Sequence, residues 1–249
     1  MADFLENIEQ LPVRANVKPG DIFSQLPDHA PSKGESMDEI FSDFKSIILP
    51  GMTHWQHPNF HAYFPGNSSK PSVLAEMLTA TLGAQCMVWA TSPSAAELED
   101  QMMIWLREML DLPKDWVGSI QNGASEATIN ALLTARERIS GYDINFTGID
   151  SARYRIYCSD QAHSSIDKAV AMAGLGRNNL IKIACDDAFA LDPKALETQI
   201  DSDLENGFKP LMVLSAMGTT GSTAIDPLEE IGKITNKYNI WLHVDAALA

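Results

Sequence analysis

Four short stretches carry residue types and spacings that could do chemistry. "IQNGASEAT" (120–128) is a small-residue turn that opens a helical pattern. Gly123, Ala124 and Ser125 there present backbone N–H groups at the positive end of a helix dipole, where a phosphate fits; the same turn also reads as an ordinary capped helix. "SDQAHSSIDKA" puts His163 just past a strand-like run. A flat imidazole at that place either stacks on a planar ligand or bonds into the next helix's first turn. "SAMGTTGSTAID" supplies Gly218, Thr219 and Thr220, as small hydroxyl donors or as a polar loop cap. "HVDAALA" closes an apolar run on Asp245. A carboxylate in such a run is costly unless it meets a cation, either a Lys or Arg side chain or a bound ligand.

The elements that must position these groups alternate along the second half of the chain. Strand-like runs at 155–159, 180–185, 210–217 and 240–247 are separated by helical patterns at 163–173, 193–205 and 226–238. The runs are apolar almost throughout, as strands are when helices cover both faces of a largely parallel sheet. Each chemical stretch then falls where a strand or turn hands over to a loop or helix, and the carboxyl edge of such a sheet is where ligands bind. Together the four would surround one flat, phosphorylated, basic heterocycle. Pyridoxal phosphate (PLP) is such a ring: a carboxylate at Asp245 would keep its nitrogen protonated, which makes the ring an electron sink.

The first third of the chain is different. Residues 1–35 are rich in Pro, Gly, Asp and Ser and look like an extended arm that packs on something else. Apolar residues at 37, 40, 41, 44, 47 and 48 predict a helix over 36–49, ended by Pro50-Gly51. Residues 52–73 form a loop dense in aromatics and histidine, and 74–90 read as a buried helix or turn-rich segment. Ser92-Pro93 starts a helix running to about Leu112, with Leu98, Met102, Trp105, Leu106, Met109 and Leu110 as its apolar stripe. The expected division is 1–90, an arm with helices and the aromatic loop, and 91–249, a large ligand-binding domain.

With 249 residues, 45% of them hydrophobic and 20% charged, the chain can bury a sizeable core. The net charge of −15 excludes nucleic acid or an anionic membrane held by a general field. Cys86, Cys158 and Cys185 stand far apart, so no metal site is expected, and the cysteines read as small buried hydrophobes of a reducing compartment. No basic-then-apolar leader and no run of roughly 18 apolar residues is present, which predicts a cytoplasmic protein.

Five motifs in order, "PGMTHWQHPNFHAYFPGNSS", "WATSPSAAELEDQMMIWLREMLDLP", "IQNGASEAT", "SDQAHSS" and "HVDAALA", resemble the group II pyridoxal-phosphate decarboxylases. The aromatic-L-amino-acid decarboxylase branch is the most similar, and the resemblance runs from about residue 36 to the end, matching the N-terminal half of such an enzyme. It implies the α/β fold type I of PLP-dependent transferases, aspartate-aminotransferase-like, with a mainly parallel sheet behind an N-terminal helical arm. By the resemblance, Ala124 and Ser125 hold the phosphate and His163 stacks on the ring and helps position the substrate carboxylate. Thr220 lies near the ring's polar edge, Asp245 pairs with its nitrogen and Ala247 packs beneath it. Trp55, Tyr63, Phe64, Pro65 and Gly66 form the substrate pocket with Met87. A homodimer is implied as well.

Two positions depart from the family. Gly66 stands where close animal relatives carry a threonine near the substrate ring, which weakens a catechol substrate. The lysine that binds the cofactor in the family lies on a later segment, and neither Lys168 nor Lys182 matches its motif. The expected activity is decarboxylation of an L-amino acid, aromatic by the resemblance, to the amine and CO2. The alternatives are a non-catalytic fragment or assembly partner, and a family member acting on a non-aromatic amino acid. A Rossmann-type dehydrogenase fits the alternation of elements but lacks the glycine fingerprint.

Overall fold

A computed structural model describes residues 2–63, 66, 68–149 and 153–249. Phe64 and Pro65, two of the expected pocket residues, lie outside the described residues. The chain forms two compact units, Met1–Ala84 and Gln85–Ala249.

The first unit holds α1 (Ala2–Glu6), α2 (Met37–Asp43) and α3 (Lys70–Leu82). Ser36 and Glu39 close a reciprocal capping box at the start of α2, so two otherwise unpaired N–H groups find partners. The helix does not run on as one α-helix to 49. It widens to a π turn at Phe44–Ile48 and tightens to a 3-10 turn at Leu49–Gly51, because Pro50 has no N–H to extend the ladder. Of the segment 74–90, expected as a buried helix or a turn-rich apolar stretch, the part up to Leu82 is helical and belongs to α3, but it is not buried. The helix starts at the Ser69 capping box, stops at Gly83 with φ +57°, and has no buried residue.

The second unit begins with α4 (Pro93–Met109), α5 (Ala124–Ile139) and α6 (Ile144–Thr147). Pro93 opens α4 as expected, although the Ser92 hydroxyl makes no capping bond and the helix ends three residues before Leu112. Its apolar stripe is exposed, Leu98 at 59% and Met109 at 79%. Periodicity marks which face is apolar; it does not supply a covering layer.

After α6 come β1 (Tyr154–Ser159), α7 (Ser165–Met172), β2 (Leu180–Ile183), α8 (Pro193–Glu205), β3 (Lys209–Ala216), α9 (Leu228–Tyr238) and β4 (Trp241–Asp245). The strands pair in parallel, in the order β2-β1-β3-β4. Ile156, Cys158 and Leu214 point to one face and pack with Leu132 of α5 and Val170 of α7. Tyr157 and Val213 point to the other face, with Ile200 of α8 and Ile231 of α9. Strands of period two with hydrophobic residues on both faces are thus covered on both sides. β4 is the exception: each of its residues is only half-buried, since it edges the described sheet. "HVDAALA" therefore does not close the most buried strand. Cys158 is buried and Cys185 half-buried, as small hydrophobes would be, but Cys86 is exposed.

Candidate active site

The sheet order sets where a ligand can enter. From β1 the chain turns to α7 on one face, and from β3 it turns to α9 on the other. β1 and β3 are neighbours, so their outgoing loops part and leave a crevice at the carboxyl edge between them. His163 lies in the loop after β1 and Thr220 in the loop after β3. Asp245 is the last residue of β4, on the far side of β3. Two strand spacings separate β1 from β4, roughly 10 Å. That is the span of a substituted pyridine ring with a partner at each side.

Helix α5 brings its N-terminus to the same edge. Arg136, near the end of α5, donates to the carbonyl of Ala173, just past the end of α7, at 2.9 Å. The two helices pack on each other with their C-terminal ends together, and the 16 residues of α5 reach further back than the eight of α7, so α5 starts beyond the start of α7 on that side. Gly123 precedes α5 at φ +123°, a conformation only glycine adopts readily, and no side chain caps the first turn. Ala124 and Ser125 are exposed. The Glu126 carboxylate is turned back onto the Asn122 N–H at 2.9 Å. The first-turn N–H groups are thus left for an anion, which the dipole favours.

His163 is exposed, and its Nδ1 accepts from the Ser165 N–H at 3.2 Å. The bond to the helix start and a free ring face coexist, because the hydrogen bond lies in the ring plane. Thr220 is exposed, whereas Thr219 beside it is buried and structural: its Oγ1 accepts from Ala224 N at 3.1 Å and meets Ser222 Oγ at 2.7 Å. Asp245 Oδ1 accepts from Ala247 N at 3.2 Å. Among the described residues no Lys or Arg forms an ion pair with it. Its negative charge acts on His243, two residues back, where it opposes the burial that holds that imidazole below its ordinary value of 6.5. Ala247 is exposed and adds no bulk to the crevice.

The donor set fits a phosphorylated pyridine. It has uncapped N–H groups for the phosphate, an aromatic ring for the face, and an unpaired carboxylate for a ring cation. A residue that sequence reasoning did not single out supports this frame. Asp226 is 1% exposed, and its carboxylate accepts from Leu191 N at 2.9 Å and Ala216 N at 2.7 Å. It clamps the end of β3 to the segment after β2. Burial raises its pKa, and the two backbone bonds oppose that shift. The signal in the sequence is an Asp held just before Pro227 after a loop of small residues.

The remaining expected residues lie apart from this edge in sequence. In the first unit Trp55 stacks with both Phe60 (centroids 5.1 Å apart) and Tyr63 (5.3 Å, 10° between planes). Tyr63 sits at φ +57°, and among the described residues no atom beyond the chain neighbours of Gly66 lies within 4 Å of where a Cβ at Gly66 would be. Met87, in the second unit, is 73% exposed. Two cavities of the second unit involve none of the crevice residues. One, of about 470 Å3, lies between α4 and residues 112–118; the other, of about 700 Å3, runs along β4 beside Arg138, Asn239 and His243.

The pattern of the pyridoxal-dependent decarboxylase conserved domain matches residues 19–249. The chain belongs to this family. It is 41% identical over its whole length to a phenylacetaldehyde synthase of Arabidopsis thaliana, of which it covers 52%. It is 43% identical to a histidine decarboxylase of Drosophila melanogaster, covering all of this chain and 31% of that one. The crystal structure of Catharanthus roseus tryptophan decarboxylase in complex with L-tryptophan superposes with a TM-score of 0.92. That match is 37% identical and covers 98% of this chain and 52% of that one. The chain thus spans about half the length, or less, of these relatives. The parallel α/β unit is the fold of the PLP-dependent decarboxylases, and pyridoxal phosphate is the family's cofactor.

Proposed function

We propose that the protein is a PLP-dependent decarboxylase of an L-amino acid with an aromatic side chain, releasing the amine and CO2. The observation that carries this reading is the Asp245 carboxylate, which has no cationic partner among the described residues, at the edge where α5 starts without a side-chain cap. Bound PLP supplies an electron sink for the pair left when CO2 departs. The Asp245 carboxylate holds the ring nitrogen protonated. Ala124 and Ser125 bind the phosphate through backbone N–H groups and one hydroxyl. His163 covers the ring face and orients the substrate carboxylate, Thr220 meets the ring's polar edge, and Ala247 is small enough to lie beneath it.

Trp55, Tyr63, Phe64, Pro65, Gly66 and Met87 are the proposed pocket for the substrate side chain. An aromatic substrate is supported by the tryptophan decarboxylase and phenylacetaldehyde synthase among the relatives, and by the aromatic character of this loop. The exposed apolar faces of α4 and of the first unit support a homodimer in which a second copy covers them.

Absorbance titration of the full-length protein with PLP tests the reading. Asp245→Ala should abolish the bound-cofactor band. A mutant that keeps normal binding and turnover refutes the assignment. CO2, amine and aldehyde release from tyrosine, tryptophan, phenylalanine, DOPA, histidine and glutamate then settles the substrate and separates amine formation from the aldehyde product named for the Arabidopsis relative.

A further inference from the structure

Gly218 follows β3 with φ +96°, in the region that glycine alone enters freely. A Cβ at this position would come within 2.8 Å of Leu248 Cδ2 and 3.2 Å of Leu248 Cβ and Cγ. Leu248 therefore packs directly on the backbone of Gly218. It belongs to the short turn after β4, in which Ala249 N donates to the Ala246 carbonyl at 3.2 Å. The same turn carries the Ala247 N–H that donates to Asp245 Oδ1.

The platform under Leu248 is held by backbone hydrogen bonds. Gly218 N and Thr219 N both donate to the Ala224 carbonyl, at 3.1 and 3.0 Å. Met217 N donates to the Asp245 carbonyl at 2.8 Å, so the β3 loop grips the Asp245 backbone as well. Asp245 is thus held at its carbonyl by Met217 and at its carboxylate by Ala247. The second hold depends on a turn seated against the bare Cα of Gly218.

We propose that Gly218 is a positioning residue for Asp245: having no side chain, it lets Leu248 seat the 246–249 turn, and that turn aims the Asp245 carboxylate at the ring nitrogen of the cofactor. This rests on the reading of Asp245 given above. A side chain at Gly218 would push Leu248 outward and carry the Ala247 N–H away from Oδ1. The carboxylate would then lose its orientation without losing its charge, and hydrogen bonds to charged groups depend steeply on distance and angle.

The test uses the full-length protein and pyridoxine phosphate, which has the ring nitrogen and phosphate but no aldehyde, so its binding needs no lysine. Affinity and the pH at which the bound ring loses its nitrogen proton are both read from its absorbance. Gly218→Ala should weaken binding roughly tenfold, the scale on which contacting residues couple, and move the ring's titration towards that of free pyridoxine phosphate. In a Leu248→Ala background the same change should cost less, because Leu248 Cδ2 and Cγ are gone and only the Cβ contact at 3.2 Å and the backbone strain at φ +96° remain. A purely structural role would lower the melting point of the ligand-free protein but leave the titration of the bound ring unmoved.

Equal losses in the two backgrounds, or an unmoved ring titration in Gly218→Ala, overturn the proposal. If Gly218→Ala does not fold, Leu248→Ala alone must shift the ring titration in the same direction, and an unchanged titration overturns it. Asp245→Ala separates the two claims. If it spares affinity and ring protonation, the reading of Asp245 fails and the positioning role with it. If it abolishes them while Gly218→Ala does not, only the positioning role is lost.

Discussion

Asp226 Oδ2 accepts a hydrogen bond from the backbone N–H of Ala216 at 2.7 Å, inside the protein and at the last residue of β3. Its Oδ1 does the same for Leu191, so one buried carboxylate holds two strand-end segments. Asp226→Ala would leave two buried donors unpaired, at about 1–3 kcal/mol each. The expected loss is about 2–5 kcal/mol in urea unfolding of the full-length protein. A loss under about 1 kcal/mol would mean that water replaces the carboxylate there at little cost.

The pH dependence of this clamp has a definite sign. Burial raises the Asp226 pKa in the folded state, so the folded protein holds this proton more tightly than the unfolded chain does. The contribution to stability is complete below the ordinary value of 3.8 and is lost as pH rises through the raised value. Wild type should therefore lose stability relative to Asp226→Asn as pH climbs above 3.8. Parallel unfolding curves for the two proteins across that window would contradict the burial argument.

His243 titrates with the opposite sense. Burial holds its imidazole below 6.5, and the Asp245 carboxylate pulls the other way. A depressed histidine favours the neutral form, so its contribution is present above 6.5 and is lost as pH falls through the folded value. Asp245→Asn removes the opposing charge and should lower the midpoint further, as followed by the imidazole resonances in NMR. A midpoint that rises in that variant would show that Asp245 does not act on His243.

These carboxylates also show where the sequence was legible and where it was not. The runs around 155–159 and 210–217 became β1 and β3, and 193–205 became α8, because period and end residues are local signals. The chemical stretches could be assigned to strand ends for the same reason. The order β2-β1-β3-β4, which opens the crevice between β1 and β3, comes from pairing between distant segments and leaves no mark in local periodicity. Burial misled in the same way. Asp245 stood in the most apolar run yet ends a half-buried strand, whereas Asp226, in a polar loop, is the carboxylate sealed inside. The stripe of α4 could be read as apolar, but what covers it belongs to no local pattern.

Ser125 offers a test of the phosphate half of the proposed site. A hydroxyl donating to a charged phosphate contributes about 1.5–3 kcal/mol, so Ser125→Ala should weaken PLP roughly tenfold or more. Pyridoxal, which has the same ring without the phosphate, should bind wild type and Ser125→Ala alike. Equal losses for the two ligands, measured by absorbance titration, would place Ser125 away from the phosphate.

Tyr157 tests the core independently of the crevice. It is fully buried on β1, and its hydroxyl donates to Asp203 Oδ2 at 3.0 Å, while Arg155 approaches Oδ1 at 3.5 Å. Burial first, and then the Asp203 charge, push the phenol pKa far above its ordinary value, so Tyr157 remains a donor throughout the working range. Tyr157→Phe removes the donor and leaves the buried Asp203 carboxylate with less support, at about 1.5–3 kcal/mol for a hydrogen bond to a charged group. Asp203→Asn in the same chain should make the Tyr157→Phe loss smaller, since the acceptor is then uncharged; contacting pairs couple by about 0.5–3 kcal/mol. Asp203 lies near the C-terminal end of α8, away from the carboxyl edge of the sheet, so PLP affinity should not change in either variant. Strictly additive urea unfolding energies would show that the pair is not coupled, and a drop in PLP affinity at unchanged stability would connect this cluster to the crevice.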